Sequence, residues 1–195
     1  MARPRAFDES AVIEAAQDRF WSFGYAATGL DDLVKATGLS KGSIYNTFGN
    51  KRALYLRTFE RYCDGVVAQV AAHLDGPDET AVERLRALLE GVAGVSASTA
   101  VPRGCFLAKA TAELAALDDD VQAVARRTFD QLENLLVGNV KAAQRAGAID
   151  ASRDPRKTGR HLLATLRGLE ALASAGTERD VLMDAVDSLT ESILD

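Results

Sequence analysis

A chain of 195 residues, 47% hydrophobic and 26% charged, holds enough apolar material for one sizeable core or two small ones, which excludes a disordered or low-complexity protein. No apolar run approaches the roughly 20 residues that span a bilayer, and the start, MARPRAFDE, lacks the apolar segment of a signal peptide, so the expected location is cytoplasmic, with no membrane partner. Net charge is −5, unevenly spread: residues 1–62 hold nine Lys+Arg against seven Asp+Glu, a balance of +2, and the rest carries −7, a division that suits a nucleic-acid-reading head on a body that nucleic acid does not touch.

The periodicity is helical throughout, with no period-2 stretch, and predicts an all-α fold of about nine helices. The first helix covers Asp8 to Phe23, with Val12, Ala15, Ala16, Phe20 and Phe23 on its apolar stripe. A short helix over Asp31 to Thr37 follows, apolar at Leu33, Val34 and Ala36. Gly38 stands where that helix ends and the chain turns, a place that favours positive φ. Ser40 has the chemistry of an N-cap for a third helix, in which Ile44 and Phe48 fall four apart on one face. The opposite face carries Lys41, Ser43, Asn46 and Thr47. Short polar side chains suit base edges and a lysine suits phosphate, so this is a helix-turn-helix reading.

Asn50 caps a fourth helix from Lys51 to about His73, stopped by Gly76-Pro77. A fifth opens at Asp78 or Thr80 and runs to about Ser96. Pro102 and Gly104 precede a sixth, Cys105 to Leu117. A seventh spans Asp119 to Arg145 and closes at Gly147. Pro155 lies near the start of an eighth that ends near Gly176, and Glu178 to Leu194 make a ninth.

Residues 8 to 55 resemble the N-terminal domain of the TetR/AcrR family of transcriptional regulators. The likeness rests on Ala15, Ala16, Phe20, Gly24, Tyr25 and Thr28, on the run DDLVKATGLSKGSIY, and on Phe48, Lys51 and Leu54. It departs at Gly29, Val34 and Thr47, where the family usually has a β-branched or small polar residue, an alanine, and a histidine or tyrosine. The resemblance implies a DNA-binding head over residues 1–50 and a helical ligand-binding and dimerisation body over 51–195. It implies double-stranded operator DNA as a partner, met by Thr28, Lys41, Gly42, Ser43, Tyr45, Asn46, Thr47 and Lys51. In the family, the residues matching Lys51 and Tyr45 meet phosphates and the turn matching Lys41-Gly42 approaches the bases.

In the body, Phe59, Tyr62, Cys63, Val66, Leu88, Cys105, Phe106, Lys109, Phe129, Leu132, Leu136 and His161 combine aromatic and aliphatic surface with a few polar groups, the composition both of a small-molecule site and of a helical core. The resemblance implies a small apolar or electrophilic effector. The segment PRGCFLAKA resembles the NemR-type subgroup, which senses electrophiles. Cys105 at a helix start, beside Arg103 and near Lys109, has neighbours that favour thiolate; the other reading is a small buried apolar residue with a neutral thiol. The last two helices carry Leu162, Leu166, Leu169, Leu172, Val181, Leu182, Val186 and Leu189 on apolar stripes, and the resemblance implies that these close a homodimer through a four-helix bundle.

The paired carboxylates Asp31-Asp32 and Asp118-Asp119-Asp120 sit at helix starts, where acids stabilise the helix dipole. No nucleophile elbow, zinc-protease motif or phosphate loop occurs, and His73 and His161 have no acid or nucleophile partner nearby in sequence, so no enzymatic activity is expected. Two cysteines and two histidines make no metal cluster, and no cofactor is expected. The rival reading is a helical scaffold dimer that does not bind DNA; it accounts for the apolar stripes but not for Ser40 to Lys51.

Overall fold

The computed structural model describes residues 7–95 and 104–194. Arg103, Pro102, Ser96 and the first six residues, on which parts of the sequence reading fall, lie outside them. Among the described residues there are nine α-helices and no strand.

Helix α1, Glu9–Phe23, starts at Asp8, whose carboxylate accepts from the amides of Ser10 and Ala11. It buries Val12, Ile13, Ala16 and Phe20. Phe23, expected on that stripe, is instead 54% exposed, with the Arg19 guanidinium 3.7 Å from its ring centroid. Helix α2, Leu30–Thr37, ends at Gly38 with φ +69°, the left-handed conformation its sequence position required. Helix α3, Lys41–Phe48, is capped by Ser40 through the amide of Ser43, and α4, Lys51–Leu74, by Asn50 through the amide of Ala53. Both caps satisfy amides that the first turn leaves without intrahelical partners.

A 3-10 turn, Asp78–Thr80, leads into α5, Ala81–Val95. Helix α6, Phe106–Leu114, is one turn shorter than expected. Helix α7, Asp119–Arg145, runs over the expected range and is capped by Asp118. Helices α8, Pro155–Ser174, and α9, Arg179–Leu194, complete the chain.

Helix α7 is the axis of the body and packs against α4, α5, α6 and α8. Helix α4 joins the two ends of the molecule, packing against α1 and α3 and against α5, α6 and α7. The result is one continuous core from Val12 to Ile193. An aromatic chain threads the junction. Phe106 of α6 lies 5.8 Å from Tyr55, 5.7 Å from Phe59, 5.4 Å from Tyr62 and 6.4 Å from Trp21, centroid to centroid. Tyr55 then meets Phe20 and Tyr25, both at 5.0 Å. Such pairs add about 0.5–1.5 kcal/mol each beyond the area they bury.

The apolar stripes of α8 and α9 divide in two. Leu162, Leu166, Leu169, Leu182, Val186 and Leu189 are buried within their own chain, against α5 and α7, and so are not the free interface the sequence suggested. A helix packed on a three-layer body has a full stripe of partners inside its own subunit. Leu172, 49% exposed, and Val181, 53% exposed, remain on the outside.

Candidate nucleic-acid interface

Helix α3 is bounded by its N-cap Ser40 and its C-cap Gly49, and it is held by two anchors, Ile44 and Phe48, both buried. With those two inward, Lys41, Gly42, Tyr45 and Asn46 are exposed, and Ser43 and Thr47 half-buried. The polar face is thus presented as the spacing predicted. Gly42 has no intrachain reason to be glycine: the nearest atom to a Cβ built there is Ser40 Oγ at 3.8 Å. The chain itself therefore leaves room for a side chain at this position.

Two members of the set are already engaged. Lys41 Nζ lies 2.6 Å from Asp31 Oδ1, and this contact holds the Asp31 carboxyl below its ordinary range. Ser43 shares a 2.9 Å hydrogen bond with the Ser40 hydroxyl. Both are exposed pairs that a phosphate or base edge can displace, since exposed ion pairs contribute little.

Thr28 and Lys51 differ from expectation. Thr28 is fully buried, and its hydroxyl donates to Gly24 O at 2.7 Å, so its side chain is part of the turn after α1. Lys51 Nζ donates to Tyr25 O at 3.0 Å and Thr28 O at 2.9 Å, and sits 4.0 Å from the Tyr25 ring centroid. Two of its three donors are therefore spent on pinning that turn to the start of α4. The turn offers bare carbonyls there, and an ammonium satisfies them.

In the body, Phe59, Cys63, Phe106, Leu132 and Leu136 are core, while Tyr62, Val66, Leu88, Cys105 and Phe129 are half-buried around them. Lys109 and His161 are exposed and do not join the set; Lys109 Nζ donates instead to Trp21 O at 3.2 Å. The Cys105 sulfur accepts from the Tyr62 hydroxyl at 3.7 Å and from Arg167 Nη1 at 3.6 Å. Burial, helped by the Glu170 carboxylate, pushes the Cys105 thiol up, against the pull of Arg167. Of the two readings of Cys105 this direction agrees with the buried, neutral thiol and not with the thiolate, because desolvation outweighs the cation and the helix start. Burial also pushes the Cys63 thiol up to about 12.

Long-range contacts around the junction of head and body had no local sequence signal. Arg52 binds Asp118 in a fork at 2.6 and 2.7 Å and reaches Asp120 at 2.6 Å. Trp21 Nε1 donates to Gly104 O at 2.9 Å. Glu113 accepts from the amides of Tyr25 at 2.9 Å and Ala26 at 2.7 Å. Each joins residues at least 66 positions apart.

Comparison with known proteins agrees with this architecture. Residues 12–58 match the bacterial regulatory proteins of the tetR family, and residues 81–189 match the tetracyclin repressor-like C-terminal domain. The chain belongs to the TetR family and is a DNA-binding transcriptional regulator with a helix-turn-helix head. It is 28% identical over 181 residues to the HTH-type transcriptional repressor ComR of Escherichia coli (strain K12), covering 93% of this chain and 86% of ComR. Its structure matches that of a cysteine-mutant CifR complexed with 26-base-pair double-strand operator DNA, with TM-score 0.80 and 26% identity over 97% of this chain and 99% of that one. It also shares its fold with the reduced form of E. coli NemR, TM-score 0.83 at 19% identity over 95% and 97% of the two chains. No helix among the described residues is long and apolar enough to cross a membrane.

Proposed function

We propose that the protein is a cytoplasmic, homodimeric, one-component repressor without enzymatic activity, in which residues 1–50 read DNA and residues 51–195 bind an effector and pair the subunits. The observation that carries the reading is the solvent face of α3, where Lys41, Gly42, Tyr45 and Asn46 stand clear of the chain around two buried anchors. Tyr45 and Lys41 reach phosphates, Asn46 and Ser43 reach base edges, and Gly42 lets the helix start sit deep in the major groove. Lys51 and Thr28 set the turn that orients this helix, and Lys51 has one donor left for a phosphate.

Two such heads on a two-fold axis read a pseudo-palindrome whose half-sites lie about 34 Å apart, one turn of the duplex. The outward Leu172 and Val181 belong to the surface that forms the axis, and the buried stripe behind them gives it a rigid backing. The likeness to ComR, named a repressor, and to CifR, solved on operator DNA, supports both repression and operator binding.

The effector is a small apolar molecule taken up around Phe59, Tyr62, Phe106 and Phe129. With its thiol pushed up by burial, Cys105 acts at rest as a polarizable wall residue, and release from DNA follows reversible occupation rather than electrophile addition. A coupling of about 1–3 kcal/mol between effector and head lowers operator affinity roughly 5- to 150-fold.

The deciding experiment is fluorescence anisotropy with duplexes from the region upstream of the protein's own gene. Salt-dependent binding at nanomolar concentration, competed poorly by random DNA, is expected. Binding no tighter than to random DNA at every salt concentration returns the protein to the scaffold-dimer reading. Alkylation of both thiols with N-ethylmaleimide, in the presence and absence of operator, tests the effector mode: Cys105→Ser is expected to retain the response of the wild type to apolar compounds.

A further inference from the structure

The turn after α1 is gripped from both sides at one residue, Tyr25. The Tyr25 amide donates to Glu113 Oε2 at 2.9 Å, and the Tyr25 carbonyl accepts from Lys51 Nζ at 3.0 Å. The neighbouring Ala26 amide donates to Glu113 Oε1 at 2.7 Å, and the Thr28 carbonyl accepts from Lys51 Nζ at 2.9 Å. Glu113 belongs to α6 in the body, whereas Lys51 opens α4. The turn between them carries Thr28 and leads directly into α2 and α3. We propose that Glu113 is the positioning residue through which α6 sets the orientation of the DNA-reading head, so that a displacement of α6 is delivered to the recognition helix through the Glu113 carboxylate. This rests on the DNA-reading role argued above.

Three observations converge on it. First, both carboxylate oxygens are committed to amides of successive residues, a two-point attachment that transmits rotation as well as translation. Second, the backbone is shaped to admit it. Gly24 has φ +81°, and a Cβ there would lie 3.0 Å from Glu113 Oε2 and 3.3 Å from Oε1, so any other residue both strains the turn and displaces the carboxylate. Third, α6 begins inside the effector region. Phe106 is fully buried among Tyr55, Phe59 and Tyr62, and the preceding Cys105 contacts Tyr62 and Arg167. Helix α6, nine residues long, therefore carries the effector-region contacts of Phe106 at its start and the Glu113 attachment to the turn at its end, while Trp21 also meets its start through the Phe106 ring and Gly104 O. Lys109, on Trp21 O, adds a second tie one turn back, but from an exposed ammonium at 3.2 Å.

Coupling free energies are reciprocal, so the link can be tested without knowing the effector. Hydrogen exchange by mass spectrometry is measured on peptides covering 105–114, in the full-length protein, free and saturated with a duplex that the wild type binds. Operator is expected to slow exchange over 105–114 roughly fivefold or more in the wild type. In Glu113→Ala this protection is lost while operator binding persists at higher DNA concentration. Glu113→Gln, which keeps one acceptor for one amide, gives an intermediate effect. Gly24→Ala reproduces the loss with the carboxylate still present.

Full DNA-induced protection of 105–114 in Glu113→Ala overturns the proposal. So does a folded Glu113→Ala protein that binds no operator at any concentration, because Glu113 would then be part of the head's own structure rather than a link. A wild type that binds no duplex overturns the DNA-reading role instead. In that case the clamp is judged by free-state exchange: Glu113→Ala must then speed exchange over 22–28 and over 105–114 together, and acceleration confined to either segment overturns the clamp.

Discussion

Lys41 rests in an ion pair, and that shapes what its removal is expected to do. Its 2.6 Å contact with Asp31 is exposed on both sides, so the pair contributes little to folding, and under the proposed DNA-reading role it is exchanged for a phosphate. Lys41→Ala is expected to weaken binding to all duplexes alike and to flatten the salt slope by about one, read from anisotropy titrations at several salt concentrations. Asn46→Ala is instead expected to relax preference at one base pair by about 1–3 kcal/mol with the salt slope unchanged. Lys51→Ala belongs to a different class: with two donors on the carbonyls of Tyr25 and Thr28, its loss is expected to lower Tm as well as affinity. An unchanged melting curve with a flatter salt slope would return Lys51 to a pure phosphate contact. Cys63 gives a pH signature. Its thiol is pushed up to about 12 from 9.0, so between those values the unfolded chain loses this proton while the folded one keeps it. Stability is expected to fall as pH rises above 9, and urea titrations of Cys63→Ala should show a shallower fall; an identical slope would put the effect elsewhere, on Cys105, Tyr55 or Tyr62, whose burial also pushes them up.

Helices α8 and α9 each have two working faces, and substitutions on them should separate cleanly. Leu166 is 2% exposed among side chains of its own subunit, so Leu166→Ala is expected to cost about 2–5 kcal/mol of folding stability in urea unfolding. Leu172 and Val181 lie on the outer face, so the double substitution Leu172→Glu with Val181→Glu is expected to leave a folded monomer by light scattering, with operator affinity lost along with the second head. Retention of a dimer would move the subunit surface off this face. Helix α3 shows the same logic in miniature: eight residues cannot hold a helix in water, and it exists because Ile44 and Phe48 are buried against neighbouring helices.

For the whole molecule, the division of charge found along the chain becomes a division in space, with the recognition face at one end of α4 and the acidic body along the rest. Two heads joined by a two-fold axis fix the distance between reading helices. Inserting five base pairs between operator half-sites rotates one site to the far side of the duplex, and affinity is expected to fall toward that of random DNA. Inserting ten restores the facing but not the distance, and is expected to recover no more than part of the affinity. Equal binding to all three duplexes in gel shifts would argue that each head binds independently.

The local signals were readable because their physics is local. Caps at Ser40 and Asn50, the stop at Gly38, and the Ile44–Phe48 spacing all act within about one helical turn, so these element boundaries and the polar outer face of α3 follow from neighbours in the chain. Which side of each apolar stripe meets its own subunit was not readable. Leu166 and Leu172 are both leucines on α8, and only the position of α5 and α7 separates core from surface. The environments of Lys51 and Cys105 were likewise set from outside their segments, by carbonyls of a distant turn and by burial against Glu170. Glu113 carried no motif, since an acid on a helix reads as solvated surface until the fold brings the bare amides of Tyr25 and Ala26, 88 and 87 residues away, within hydrogen-bonding distance. Contacts of that range depend on how every intervening helix packs, and that information belongs to the assembled core rather than to any segment of the chain.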